Sequence, residues 1–188
     1  MKKFLSIGLL VLLVSCGGGV QYEDANKAKG SKEWGPKEIK DTADIIVSSL
    51  YTFLKDEWKK PAFLQVKKFR NKTAEHIETD LLISEIRTRL IKKRIKFIDD
   101  SLDKEALEEI AKGQTGLIDP DSAIPAGEMK SPNLYLTGQI SDAVDESGGK
   151  RRQYLKVSFR LDEIKTRILL WEEYKDFYKI SKSTEFDL

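Results

Sequence analysis

Between Leu134 and Leu161 apolar and polar residues alternate with a period of two, and no other feature constrains the fold of this chain as tightly. Leu134, Leu136, Gly138 and Ile140 take turns with Tyr135, Thr137, Gln139 and Ser141. Leu155, Val157, Phe159 and Leu161 do the same with Tyr154, Lys156, Ser158 and Arg160. A period of two sends successive side chains to opposite faces of a strand, so both segments need a sheet with one buried face. Ser147-Gly148-Gly149-Lys150 reads as the hairpin tip between them. A second turn, Glu163 to Arg167, leads into a third strand from Ile168 to Phe177. Strands joined by short turns run antiparallel, so the last third of the chain is predicted to be a meander. The tail 181–188 is polar and expected to fray.

Upstream the period lengthens. Gly35-Pro36 opens a helix with Pro in the first turn, where its missing N–H costs nothing. Ile39, Ala43, Ile46, Val47, Leu50, Phe53, Leu54 and Trp58 then form one apolar stripe over about 22 residues. Pro61 stops this helix, and Ala62 to Phe69 reads as a strand with Ala62, Leu64 and Val66 on one face. Asn71 to Glu78 is a polar loop. Thr79 is a suitable N-cap and Asp80 suits the helix dipole; Leu82, Ile86 and Leu90 line a second helix, with Lys92, Lys93 and Arg94 at its C-terminus. Ile95 to Ile98 is a short strand. Asp103 to Lys112 is a third helix with Ala106, Leu107, Ile110 and Ala111 facing inward. Gly113 to Pro132 is a long connection holding a helical turn near Pro120 to Gly127, and such loops are often functional. The expected fold class is α/β in the broad, α+β sense. It is a mixed sheet of about five strands, a parallel pair plus an antiparallel meander, packed with helices.

The N-terminus addresses the chain to an envelope. Lys2 and Lys3 precede an apolar run from Phe4 to Val14, eleven residues long. That is too short for a bilayer core of about 30 Å and suits a secretory signal. Leu13-Val14-Ser15-Cys16 resembles the lipobox of bacterial lipoproteins. The resemblance implies cleavage before Cys16, which then carries diacylglycerol and an N-acyl chain such as palmitate. Three acyl chains anchor a protein firmly, at about 0.8 kcal/mol per buried CH₂. Gly17-Gly18-Gly19-Val20 and the polar residues up to Gly35 read as a flexible tether. The expected organisation is a signal peptide at 1–15, a lipid-anchored tether at 16–35, one globular domain at 36–180 and a polar tail at 181–188. The first fifteen residues hold two bases and no acid, so removing them turns 33 bases against 31 acids into 31 against 31. With 40% apolar residues in the full chain and no net charge once the first fifteen residues are removed, the protein can bury a core and is not disordered throughout.

Residues that could carry chemistry read more simply as structure. One Cys and one His exclude a disulfide framework and a Cys/His zinc site. His76 lies in a polar loop with no nucleophile or orienting partner at motif spacing. Asp99, Asp100 and Asp103 match no calcium-loop spacing, and Asp103 suits a helix start. Asp142, Asp145 and Glu146 belong to a hairpin end. Gly17-Gly18-Gly19 follows no strand and is a linker, and Asn71-Lys72-Thr73 reads as a turn. The basic run Arg87, Arg89, Lys92, Lys93, Arg94 and Lys96 could bind nucleic acid, but export and a neutral mature charge favour a solvated helix end. Contact with an acidic partner or lipid headgroups is the third reading of that run. Trp58 and Trp171 read as core or half-buried aromatics; Trp34 is either an interface anchor or a hydrophobic staple. No catalytic residue, metal, cofactor, small-molecule substrate or nucleic acid is expected.

Two blocks resemble the LpoB-type family of penicillin-binding-protein activators. The first is Leu64-Gln65-Val66-Lys67-Lys68-Phe69-Arg70-Asn71-Lys72-Thr73, then Ile77-Glu78-Thr79-Asp80 and Ile86-Arg87-Thr88-Arg89-Leu90. The second is Leu134-Tyr135-Leu136-Thr137-Gly138-Gln139-Ile140-Ser141, continuing through Tyr154-Leu155-Lys156-Val157-Ser158-Phe159 to Leu169-Leu170-Trp171. Gln114-Thr115-Gly116-Leu117-Ile118-Asp119-Pro120 also fits, and the likeness spans Pro36 to Lys179. It implies a fold similar to the TolB amino-terminal domain and a non-enzymatic, outer-membrane lipoprotein facing the periplasm. Such a protein binds a class A penicillin-binding protein, a peptidoglycan synthase, and activates it allosterically. Gly17 is not the Asp that retains lipoproteins at the inner membrane of enteric bacteria, which favours the outer membrane. Two departures stand out: the tether lacks the long Pro-rich stretch of enterobacterial members, and Arg167 stands where the family has Gly and would need another way round its turn. The alternative function is a structural or assembly lipoprotein, as CsgG-type or FlgO-type folds imply. Loop length and composition place the expected partner contacts in Gly113 to Pro132 and Asn71 to Glu78, on Asn71, Thr73, Gln114, Asp119 and Asp121.

Overall fold

The computed structural model describes Asp24, Lys29, residues 34–67 and residues 69–182. The expected signal peptide, Leu13 to Cys16, most of the tether and residues 183–188 lie outside the described residues.

Helix α1 runs Pro36–Thr52 and begins as its sequence asks: Pro36 occupies the first turn, and the Glu38 carboxylate accepts the Gly35 N–H at 3.1 Å. Ala43, Ile46, Val47 and Leu50 form its buried stripe. The apolar stripe continues past Thr52, but the hydrogen bonding changes. Phe53–Trp58 is a π-helical segment, ended by Lys59 in the left-handed region at φ 50°. A wider turn shifts the facing of the residues it contains, and Phe53 and Leu54, adjacent in sequence, are both buried.

Strand β1 is Phe63–Val66, β2 Arg70–Asn71, α2 Thr79–Lys92 and β3 Lys96–Phe97. A short 3₁₀ turn at Asp100–Leu102 leads into α3, Asp103–Gly113, and the meander follows as β4 (Leu134–Ser147), β5 (Lys150–Glu163) and β6 (Leu169–Lys182). Thr79 is the first residue of α2 rather than its cap, since Glu78 holds the flanking position. The strands form one six-stranded mixed sheet in the order β3-β1-β4-β5-β6, with β2 also against β4. β1 is parallel to both β3 and β4, while β4, β5 and β6 are antiparallel. Gly148 and Gly149 both have positive φ, 59° and 66°, the two-residue turn that matches strand twist.

The sixth strand comes from a break in what alternation reads as one strand from Ala62 to Phe69. β1 pairs Val66 with Leu136, and β2 pairs Arg70 with Gln139. Three residues on one side therefore oppose two on the other, which is a bulge of one residue. A one-residue slip exchanges the two faces of a strand. Leu64 faces the core before the bulge, and Phe69, of opposite parity, faces it after. The Phe69 ring stacks on Phe159 at 4.9 Å between centroids. It lies where Gly138 has no side chain: a Cβ there would sit 2.4 Å from Phe69 Cε2 and 2.6 Å from the Ser158 carbonyl oxygen.

The core lies between the α1–α2 pair and the sheet, with Leu134, Leu136, Ile140, Leu155, Val157, Phe159 and Leu161 all within 1% of full burial. Lys40 and Arg89 both bind Glu85, at 2.9 and 2.7 Å, and Arg89 also reaches Asp44. These links tie the solvent edges of the two helices together. The Lys40 hydrogen bond, more than any other contact, holds the Glu85 carboxyl below its usual range. Trp171 donates its indole N–H to Ser49 Oγ at 3.0 Å, and Lys179 binds Glu38 at 2.9 Å, so α1 is pinned to β6.

α3 departs from its expected packing. Ile110 is its one buried residue, Ala106 is half-buried, and Leu107 and Ala111 face solvent. The apolar spacing was correct for a helix, but among the described residues the chain puts little beside that helix except its own 3₁₀ turn and the following loop. Arg167 makes its turn with no detour: it adopts the left-handed region itself at φ 60°, and its N–H reaches the Glu163 carbonyl at 2.8 Å.

Candidate functional site

The face of the meander opposite α1 and α2 is open. Alternation places the polar half of each strand there, and that half is rich in tyrosine. Tyr154 and Tyr178 are direct cross-strand partners, as are Lys156 and Asp176, Ser158 and Tyr174, and Arg160 and Glu172. Tyr154, Tyr174 and Tyr178 are 40%, 49% and 63% exposed, and Ile180 beside them is 61% exposed. The rings are held in place. Tyr154 donates its hydroxyl to Asp176 at 3.2 Å, and the Lys156 ammonium lies 4.2 Å from the centre of the Tyr174 ring. Desolvation first, and the bond to Asp176 second, raise the Tyr154 phenol above its usual value, so it remains a donor at neutral pH.

At the bulge between β1 and β2 this face opens into a cleft of about 470 Å³, lined by Lys67, Arg70, Thr137, Gln139, Arg160 and Glu172. Three cations against one carboxylate make it basic. Arg160 is further fixed by Asp162 at 2.8 Å, a hydrogen bond that raises its pKa. The described residues hold no group of three or more His, Cys, Asp or Glu suited to a metal. Immobilised tyrosines and arginines on a half-desolvated surface are the residue types that dominate protein interfaces.

The residues expected from loop length and composition are dispersed. Asn71 and Thr73 spend their side chains on their own turn. Asn71 Oδ1 accepts the Thr73 N–H and hydroxyl, both at 2.9 Å, and Asn71 Nδ2 donates to the Glu75 carbonyl at 2.8 Å. That turn aims Glu75 at Arg151 and Gln153, both at 3.1 Å. Gln114 follows the last turn of α3, and Asp119 caps the next turn by accepting the Asp121 N–H at 3.1 Å. Gln114, Asp119 and Asp121 are exposed, and no hydrogen bond or ion pair among the described residues joins them to the Asn71 turn. His76 is 88% exposed and bound to Glu78 at 2.7 Å. Asp99 caps the 3₁₀ turn through Ser101, and Asp100 accepts from Gln65 at 2.8 Å. Trp34 packs edge-on to Phe177 with centroids 6.1 Å apart. The sequence did carry a signal for the open face: Tyr135, Tyr154, Tyr174 and Tyr178 occupy positions where a solvated strand face usually has small or charged residues.

No curated protein matches the chain at a significant level. Among solved structures, the LpoB C-terminal domain of Escherichia coli is similar at 11% identity and a TM-score of 0.45, covering 73% of this chain and 98% of that one. The LpoB C-terminal domain of Salmonella enterica gives 10% and 0.40, covering 71% and 96%. The lipoprotein GNA1162 of Neisseria meningitidis gives 11% and 0.41, covering 64% and 85%. The family model described as peptidoglycan-synthase activator LpoB matches residues 38–177. That span runs from the first turn of α1 through the bulged β1–β2 segment, β4 and β5 into β6, and on it the chain belongs to the peptidoglycan-synthase activator LpoB family.

Proposed function

We propose that this chain is a lipid-anchored envelope protein that docks on a class A penicillin-binding protein and raises its activity without chemistry of its own. The family match over residues 38–177 carries the reading. In this scheme residues 1–15 are removed, Cys16 is acylated, residues 16–35 tether the domain to the periplasmic face of the outer membrane, and residues 36–180 do the binding. Activation is allosteric: the domain binds the active state of the synthase more tightly than the inactive one, and the difference in affinity sets how far it shifts the population. The open face supplies the contact, with Tyr154 and Tyr178 as anchors and Arg70 and Arg160 as charged partners.

The test is a glycan-polymerisation assay with a purified class A penicillin-binding protein from the same cell, with and without this protein. Stimulation is expected, and Tyr154→Ala with Tyr178→Ala should weaken binding by about tenfold or more, as loss of interface hot spots does. Equal stimulation by the doubly substituted protein would move the contact elsewhere, and no stimulation of any class A synthase would end the proposal. Separately, Cys16→Ala should release the protein from the membrane fraction.

A further inference from the structure

Away from the tyrosine face, at the β3 edge of the sheet, a second surface combines charge with exposed apolar groups. The C-terminal ends of the first helical segment and of α2 meet there. Two adjoining hollows of about 320 and 520 Å³ share Phe63, Arg94, Ile95 and Lys96. Their floor is apolar, from Leu54, Phe63, Ile91, Ile95 and Phe97. Their rim is Lys55, Lys60, Arg94, Lys96 and Lys130, and no carboxylate lines either hollow. None of these five cations makes a salt bridge among the described residues. Lys60 and Lys96 instead lie over the Trp58 and Phe63 rings, at 4.6 and 5.6 Å. Two basic residues here, Lys59 and Arg94, hold left-handed backbone.

The same molecule carries the complement. α3 carries Asp103, Glu105, Glu108 and Glu109 against Lys104 and Lys112, so it is net acidic although Lys104 pairs with Glu108 at 3.9 Å and Lys112 with Glu109 at 2.5 Å. Leu102 and Leu107 stand exposed beside these acids, at 60% and 58%. The helix begins five residues after Ile98, which lines the groove. A basic apolar groove and a net acidic helix with exposed leucines therefore follow one another closely along the chain. A two-fold axis between two such patches sets each groove against the partner's helix, the self-complementary arrangement of a closed dimer. Other occupants satisfy only half of this surface. An anionic membrane would repel α3, and a free acidic peptide would leave Leu102 and Leu107 in water.

We propose that this edge is the interface between two copies of the chain, with α3 of each seated in the basic groove of the other. This is independent of the tyrosine face and of the synthase reading. The test is sedimentation equilibrium of the full chain in density-matched detergent, with circular dichroism as the control for folding. The unaltered protein should run as a dimer that weakens as salt shortens the reach of the charges from about 10 Å at 0.1 M to about 3 Å at 1 M. Lys60→Glu with Lys96→Glu, and separately Glu105→Lys with Glu108→Lys, should each weaken the dimer by about tenfold or more, since like charges then face each other. Mixing the two variants should restore it, because each altered patch then meets its new complement. A monomer at every concentration overturns the proposal, as does a dimer indifferent to salt and to both reversals, or a mixture that fails to reassociate while both variants remain folded. A monomer that sediments with phosphatidylglycerol vesicles also overturns it and assigns the groove to lipid.

Discussion

Replacing Gly138 with Ala tests the account of how β1, β2 and β4 fit together. Alanine normally gains about 0.5–1 kcal/mol over glycine inside a strand, because glycine gives up more conformational freedom on folding. Here the new Cβ would lie 2.4 Å from Phe69 Cε2 and 2.6 Å from the Ser158 carbonyl oxygen. The ring has some freedom to retreat, but it is held against Phe159. The carbonyl has less, because Gly138 and Ser158 lie inside the long β4–β5 ladder. Overpacking costs about 1–3 kcal/mol, and a backbone neighbour argues for the upper half of that range. The net loss is then about 2 kcal/mol, or a fall in Tm of about 4–8 °C for a domain of this size. Thermal unfolding followed by circular dichroism reads it directly. A double-mutant cycle with Phe69→Leu separates the two clashes: relief of the ring should recover about 0.5 kcal/mol or more as coupling, and the remainder belongs to the carbonyl. A Tm unchanged or raised by Gly138→Ala would refute the reasoning, since alanine would then be showing only its intrinsic advantage.

Three further outcomes follow from named contacts. Arg167→Gly should raise stability by about 0.5–1 kcal/mol, because a left-handed conformation costs a side-chain-bearing residue about 1–2 kcal/mol and glycine's greater freedom when unfolded returns part of it; a melting curve checks the sign. Trp171→Phe keeps most of the ring and removes the donor to Ser49, so it should cost about 1 kcal/mol in chemical denaturation. Glu85 is held below its ordinary value of 4.5, first by the Lys40 hydrogen bond. Its contribution to stability is complete above that value and is lost as pH falls through the lower folded pKa. Glu85→Gln should therefore lower stability at neutral pH and flatten the acid limb of a stability–pH profile.

The long strands were legible because each satisfies a single rule along its whole length. From Leu155 to Leu161 every second residue is buried, as alternation demands. The first strand failed for the same reason: a bulge reverses the parity midway, so Leu64 and Phe69 both reach the core although alternation puts them on opposite faces. α3 shows the converse limit. Leu107 has the spacing of a core residue, but spacing reports what a helix can bury and not whether anything lies against it. The basic cleft was invisible because Lys67 and Arg70, Thr137 and Gln139, Arg160, and Glu172 come from four separate segments that only the sheet assembles. The tyrosines could have been found, since they break the polarity of the outward positions along single strands.

The attachment of α1 to β6 has a mechanical consequence. Any pull delivered through the residues before Trp34 enters the domain at the first turn of α1. There the Trp34–Phe177 contact and the Glu38–Lys179 pair take the load first. Both lie towards the far end of β6, away from its Leu169 start, and β6 is the outermost strand of the meander. Tension at that point levers the end of α1 off the sheet one contact at a time, while the β4–β5 and β5–β6 ladders carry little of it. The domain is thus built to yield first at its N-terminal fastening and to keep its meander, and the tyrosine face with it, intact under strain.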